Sequence, residues 1–375
     1  KGFVPMIISM TLSLLCGVAL FLFGMSLMGD GLKSAAGEKL ETFLYNMTNT
    51  PVKGILLGTA VTAVIQSSAA ATVMVIGFVN SGMMTLEQAA AITLGANIGT
   101  SITGNQANGT GTTNGGGGIY VNGGTLTFST TASTIGGSGT PNTATNGAGI
   151  YANSGTVNFN VAPTISYNTA STDGGGIYTK VAMTMPSGMN INNNTASSAG
   201  GGLYINAGTT TMNGVNVKSN SAANGGGVYL AGGGLTFNSG TNTIGGSGAG
   251  NTATNGAGIY ANSGTVTFTV APEISYNTAS TNGGGIYTKV AMTMPSGMNI
   301  NNNTASGAGG GLYISANTTT MNGVNVKSNT AANGGGVYLA GGGLTFAAGT
   351  NTIGGSGTPN TATNGGGLYI NGGTI

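Results

Sequence analysis

Residues 165–178 read ISYNTASTDGGGIY, and residues 191–204 read INNNTASSAGGGLY. An aliphatic residue, an Asn three positions on, a Thr-Ala pair, a glycine triplet and an aliphatic-Tyr pair follow in the same order in both. Searching outward, the Gly-rich, aliphatic, Tyr element recurs ten times, at Tyr120, Tyr151, Tyr178, Tyr204, Tyr229, Tyr260, Tyr287, Tyr313, Tyr338 and Tyr369. The spacings run 31, 27, 26, 25, then 31, 27, 26, 25, then 31. Residues 147–255 match 256–364 with only 12 differences, so the short unit lies inside a larger duplicated block of four. A second column keeps step: Asn142, Asn168, Asn194, Asn220, Asn251, Asn277, Asn303, Asn329 and Asn360 each stand nine or ten positions before a Tyr and precede Thr-Ala or Ser-Ala.

Self-similarity at this period marks a repeat architecture. Short alternating runs such as Leu126-Thr127-Phe128, Met183-Thr184-Met185 and Val266-Thr267-Phe268 read as strands. The expected fold is a right-handed parallel β-helix over residues 114–375, with about nine coils stacked at about 4.8 Å into a rod roughly 43 Å long. Asn amides stacked in register can hydrogen-bond along the rod. Glycine runs turn the corners, where positive φ costs Gly little. A disordered Gly/Asn tract has no reason to hold an aliphatic-Tyr pair in register ten times.

Before this region the composition changes abruptly. Residues 1–104 carry Lys1, Lys33, Lys39 and Lys53 with Asp30, Glu38, Glu41 and Glu87, separated by long apolar runs. The rest of the chain, 105–375, holds only four Lys and two acids. Such a shift marks a domain boundary, and residues 105–113, polar and Gly-rich, read as the linker. A net charge of +2 with no Arg lacks the basic footprint of nucleic-acid binding. With no His, the commonest general base and metal ligand is missing. Cys16 is the lone cysteine. Asp173 and Glu273 stand far apart in sequence, whereas a lyase on such a scaffold needs clustered acids and bases, so no enzyme activity and no bound cofactor are expected. Calcium solenoids need an Asp in every repeat, and an ice-binding face wants Thr-x-Thr in every coil. That pattern appears at Thr125/Thr127, Thr209/Thr211, Thr265/Thr267 and Thr318/Thr320, but not after Tyr178, Tyr229, Tyr287 or Tyr338.

In the N-terminal part, the stretch from Val4 to Met28 is uncharged throughout and long enough to span a bilayer. A secretory signal peptide is the alternative, although the apolar stretch is about twice a usual h-region. Leu32, Leu40, Phe43, Leu44 and Met47 recur at helical spacing and suit an amphipathic interfacial helix. Gly54 to Val79 is apolar with Gln66-Ser67-Ser68 at its centre. Its arms, about 12 and 11 residues, are each too short to span, which fits a re-entrant hairpin with its polar tip at the midplane. One ordinary uninterrupted helix is the alternative. Thr85-Leu86-Glu87-Gln88 caps a further helix that breaks at Gly95-Ala96-Asn97-Ile98-Gly99-Thr100.

The pairing of QSSAAATVMVIGFVNSGMMTLEQA (66–89) with GANIGTS (95–101) resembles the bacterial sodium/phosphate cotransporters, over residues of about 13 to 104. The resemblance implies a hairpin in each of two inverted repeats, with sodium and phosphate bound between them. It assigns Gln66, Ser67 and Ser68 to the hairpin tip, and Asn97 and Thr100 to the second break. Ala69 stands where many members carry a third Ser. No second QSS occurs in the sequence, so the binding site is half absent and the chain alone is expected not to transport phosphate. Sodium is then a co-transported ion, and phosphate and sodium are ligands only if the missing repeat is supplied.

The solenoid units resemble the repeats of polymorphic outer-membrane proteins and related adhesins, which pair an aliphatic-x-x-Asn with Gly-Gly-x-aliphatic. That resemblance implies a surface role. The non-Met start at Lys1 and the end at Ile375 inside a strand give the look of a fragment. Two readings stay open: a partial symporter joined to a non-catalytic β-helix as a chimera, or a membrane-anchored surface rod acting as an adhesin. Both place the first part in a lipid bilayer and the β-helix in an aqueous compartment at the cell surface. Alternation sends each Tyr to the face opposite its aliphatic neighbour. Tyr178, Tyr204, Tyr229, Tyr260 and Tyr287 then either stiffen the sheet by stacking or form a stripe that binds glycans.

Overall fold

A computed structural model describes residues 24, 42–65, 68–80, 82–98, 101–108, 115–129 and 133–375. The chain divides into two compact units between Ser101 and Ile102.

In the first unit, α1 is described over residues 42–48, followed by α2 (Pro51–Ile65), α3 (Ser68–Asn80) and α4 (Leu86–Ile98). Pro51 opens α2, where its missing N–H is no loss, and the Thr50 hydroxyl accepts the Lys53 amide. At the start of α4 the Gln88 amide donates to the Thr85 hydroxyl at 3.3 Å, and the Thr85 amide donates to the Gln88 side chain at 2.9 Å. This reciprocal cap satisfies two otherwise orphaned donors. Helices α2 and α3 both pack on α4. Gly54 is needed there, because a Cβ would stand 2.7 Å from that of Ala91. Leu44, Val75, Phe78, Met83, Met84, Ala89 and Ile92 form the small core, while Phe43 and Met47 face outward.

The structure amends the sequence expectations at one place in this unit. Helix α4 runs on through Gly95, Ala96 and Asn97 to Ile98, because one interior Gly costs a helix only about 1 kcal/mol. Among the described residues no helix is long and apolar enough to cross a membrane. The expected span over Val4–Met28, apart from Gly24, lies outside the described residues, as do Leu32 and Leu40 of the expected amphipathic helix.

The second unit is a parallel β-solenoid of the right-handed type, with about nine turns from residue 119. Each coil contributes to three walls. The first wall stacks one aliphatic column: Ile135, Ile165, Ile191, Val217, Ile244, Ile274, Ile300, Val326 and Ile353 are in-register neighbours. The second wall is narrow and stacks alanines, with Ala144 on Ala170, Ala170 on Ala196, and Ala253 between Ala222 and Ala279. The third carries the tyrosine strands and then strands with inward Met, Leu or Phe. Apolar side chains from the first and third walls interdigitate into one core, most of them fully buried, and the alanines of the second wall form separate small clusters.

Coil length varies, yet register does not. In the coil from Tyr229 to Tyr260, the stretch from Ile244 to Asn251 is longer than its counterpart from Ile165 to Asn168. Ile244 still pairs with Val217 and Ile274, so the extra residues leave as an outer loop. Between the first and second walls the chain turns within one residue in the left-handed region, for example Asn193 at φ 54°.

The solenoid starts earlier than the sequence expectation of residue 114. Ser101–Ile102 joins the sheet of Thr134–Ile135, the Ile102 carbonyl accepts the Gly136 amide, and Ala107 packs against the alanine column. Ile102-Thr103-Gly104-Asn105-Gln106-Ala107 therefore lies on the first coil like Ile191–Ala196. The expected linker is thus solenoid in its first residues.

Inside the corner each ladder asparagine is fully buried from Asn142 to Asn329. Asn194 Nδ2 donates to Asn220 Oδ1 at 3.1 Å and to the Ile165 carbonyl at 2.8 Å, and its backbone N–H donates to the same Asn220 Oδ1 at 2.9 Å. The Asn194 oxygen in turn accepts both donors of Asn168. Every polar position of the amide is thereby used. The same set recurs up to Asn360, and Asn105 is its first member, donating to Asn142. The third glycine of each triplet makes room: at Gly176 a Cβ would lie 3.0 Å from Asn194 Nδ2 and 2.5 Å from the Gly202 carbonyl.

Two substitutions of opposite sign test this core by thermal unfolding followed in the β-sheet circular dichroism band. Asn220→Ala orphans the Ile191 carbonyl and the Asn194 donors, and is expected to destabilise by at least about 3 kcal/mol. Thr210→Val removes a buried hydroxyl that has no partner at near-constant shape, and is expected to stabilise by about 1 kcal/mol.

Candidate functional site

The residues assigned to ion and phosphate binding fall at helix ends. Ser68 is the first residue of α3 and Asn97 the penultimate residue of α4. Gln66, Ser67 and Thr100 lie outside the described residues. Helix α2 ends at Ile65 and α3 begins at Ser68, on either side of the expected polar tip, and the N-terminus of a helix is a place where backbone N–H groups favour an anion.

On the solenoid, the ten tyrosines stand in one register column. Their rings stack at centroid distances from 4.5 Å (Tyr260 on Tyr287) to 5.2 Å (Tyr204 on Tyr229). Tyr178, Tyr204, Tyr229, Tyr260 and Tyr287 thus turn their faces on one another, and Tyr260 is only 8% exposed. A stripe of open aromatic faces is not what this geometry presents, since stacking covers the ring faces along the column. In each block one lysine seals the column: Lys180 Nζ sits 5.6 Å from the Tyr151 ring centre and donates to Asn153, and Lys289 repeats this with Tyr260 and Asn262.

Burial favours the neutral phenols. It pushes Tyr178 up to about 12, helped by Tyr151 and Asp173, and raises Tyr260 to about 12 with Tyr287 as the next cause. Tyr204 is raised for the same reason, burial first and Asp173 second. Asp173 is itself the one charged member of a column otherwise filled by Gly115, Asn and Ala. It pairs in register with Asn146 and bridges to Ala199. Burial raises its pKa, against the Ser198 hydroxyl and the Ala199 amide that donate to it, and its Oδ1 has no partner. In the second block Asn282 occupies the same place and accepts the Ala308 amide at 3.0 Å.

The sequence reading passed over the outward row on the strands after each Tyr. Thr127, Asn158, Thr184, Thr211, Thr236 and Thr267 are successive register neighbours, and Thr293, Thr320 and Thr345 continue the pattern. The row has one hydroxyl or amide per coil and no charge. Thr-x-Thr pairs do not mark it, because the constant feature is the single outward residue between two inward ones.

The comparisons distinguish the same two regions, although the first match runs past the structural division after Ser101. Residues 20–114 match the Na+/Pi-cotransporter family, and residues 164–180 and 273–289 match the Chlamydia polymorphic membrane protein repeat. The N-terminal part is 37% identical over 86 residues to the uncharacterized protein YqeW of Bacillus subtilis (strain 168), covering 23% of this chain and 28% of that protein. It is 33% identical over 85 residues to the sodium-dependent phosphate transport protein 2B of Homo sapiens, covering 22% of this chain and 12% of that protein. It is 35% identical over 91 residues to the putative inorganic phosphate export protein YjbB of Escherichia coli O157:H7, covering 24% and 17%. The chain thus spans less than a third of the length of these relatives. No solved structure matches.

Asp173 gives a pH signature. With its folded pKa above the unfolded value, its neutral form stabilises the solenoid fully in acid, and that contribution is lost as pH rises through the raised value. The unfolding midpoint is therefore expected to fall between acid and neutral pH by more in the wild type than in Asp173→Asn, whose amide the second block already accommodates. Equal pH profiles would remove Asp173 as the source.

Proposed function

We propose, from a sodium/phosphate-cotransporter-like region joined to a solenoid of polymorphic-membrane-protein-type repeats, that this chain is a partial symporter fused to a non-catalytic rod, and that it does not transport phosphate alone. The observation that carries this is the junction. The cotransporter match runs to residue 114, yet from Ile102 the chain is already committed to the first solenoid coil. The sequence contains a single Gln-Ser-Ser, between α2 and α3.

In this reading Gln66, Ser67, Ser68, Asn97 and Thr100 supply one half of a site. Their hydroxyl and amide oxygens suit a hard cation such as sodium, and the α3 N-terminus suits phosphate. With the facing half absent, neither ion is enclosed, and alternating access has no second repeat to rock against. The N-terminal region lies at a membrane, and the solenoid extends into an aqueous compartment at the cell surface.

A second reading, that the chain acts as a membrane-anchored adhesive rod, draws support from the uncharged outward row of hydroxyl and amide side chains. It is compatible with the first, because it concerns the other unit.

Purified full-length chain reconstituted into liposomes is expected to take up no more phosphate under an inward sodium gradient than protein-free liposomes do. Uptake above that level, abolished by Gln66→Ala, would overturn the half-site reading.

A further inference from the structure

The 12 differences between the two blocks are not scattered evenly. Four of them, Asn158/Thr267, Asn160/Thr269, Asn238/Ala347 and Ser239/Ala348, fall around one outer face of the third wall. In the first block that face is hollowed into a groove of about 460 Å³. Ala182 makes the hollow, lying between the coils of Thr156 and Thr209, both of which line it. Asn158, Thr184 and Thr211 cross it as an in-register row.

Asn160 and Asn213 line the same groove. The Asn213 oxygen accepts from Asn238 Nδ2 at 3.0 Å and from the Ser239 hydroxyl at 2.8 Å, which leaves its own N–H groups to donate outward. Asn158, Asn160, Thr184 and Thr209 are exposed, and no hydrogen bond within the described residues engages their side chains. In the second block, Ala347 and Ala348 remove both groups that orient the amide. Asn322, the counterpart of Asn213, donates instead to the Met294 carbonyl at 3.2 Å. The first block thus presents one oriented amide, Asn213, beside the unengaged amides of Asn158 and Asn160, a set that the second block lacks.

We propose that this groove binds a neutral oligosaccharide. Carboxamides and hydroxyls both donate and accept, which matches vicinal sugar hydroxyls. No charged side chain lines the groove, so acidic sugars, phosphates and peptide termini would find no counter-ion there. Edge pairing of a peptide strand is unavailable on a sheet face, whose backbone groups are already bonded between coils. Ala182 and Pro186 supply a small apolar surface for a sugar ring face, and the volume is in the range of small-ligand sites. The proposal deepens the surface-rod reading and is independent of phosphate transport, so the liposome result leaves it untouched.

The test is an array of neutral, sialylated and sulfated oligosaccharides probed with the full chain, followed by calorimetry on the best hit. Binding is expected on a subset of neutral glycans with one site per chain. Asn158→Thr with Asn160→Thr is expected to weaken it at least tenfold; the second block carries those residues already, so the variant folds. Installing Thr267→Asn, Thr269→Asn, Ala347→Asn and Ala348→Ser is expected to raise the stoichiometry to two. No hit, hits confined to acidic glycans, or undiminished binding by the Asn158/Asn160 variant would each overturn the proposal.

Discussion

The buried asparagine amide is the constraint on which the solenoid depends. A carboxamide taken out of water without partners costs several kcal/mol, and here one is taken out of water in every coil. It is tolerable only because each amide finds two acceptors and two donors in its neighbours. That arrangement fixes the distance between coils, since a slip of a single position would strand every amide in the column at once. The glycine triplet, the single left-handed corner residue and the alanine wall are consequences. Each lets backbone approach the amide more closely than an ordinary side chain would permit.

What the ladder does not constrain is free to change. None of the 12 positions that differ between the blocks is fully buried in the first block. Coil length varies between 25 and 31 because insertions leave outward, between columns that stay in register. The frame is therefore rigid where it faces inward and permissive where it meets solvent. This division of labour lets one scaffold carry different surfaces on successive blocks.

Much of this was legible in the sequence, because columns of identical residues at a fixed spacing declare a parallel stack directly. Asn142 to Asn360 and Tyr120 to Tyr369 could be aligned by eye. The first coil escaped because its Asn105 stands further ahead of Tyr120 than any later ladder Asn stands ahead of its Tyr, although Ile102-x-x-Asn105 carried the signal. The stacking of the tyrosines could not be told from a free stripe, because alternation fixes which face a ring takes but not the tilt of its plane. The groove at Asn158 and Asn160 was invisible for a different reason: it arises from a small residue, Ala182, in the coil next door. In the helical unit, the cap at Thr85 was read from local chemistry, while the end of α4 was misplaced because a lone Gly is a weak breaker inside an apolar helix.

The amide ladder also has a direction. Every Oδ1 accepts from the coil before it and every Nδ2 donates to the coil after it, from Asn105 onward. The carboxamide dipoles are therefore collinear and add, as peptide dipoles do in a helix, and each bond polarises the next. The positive end of this internal dipole points along the rod toward higher residue numbers. The two ends of a stack of near-identical coils are consequently not interchangeable: one presents bare acceptor oxygen and the other bare donor hydrogen, so a further coil can be added at either end only in the same orientation.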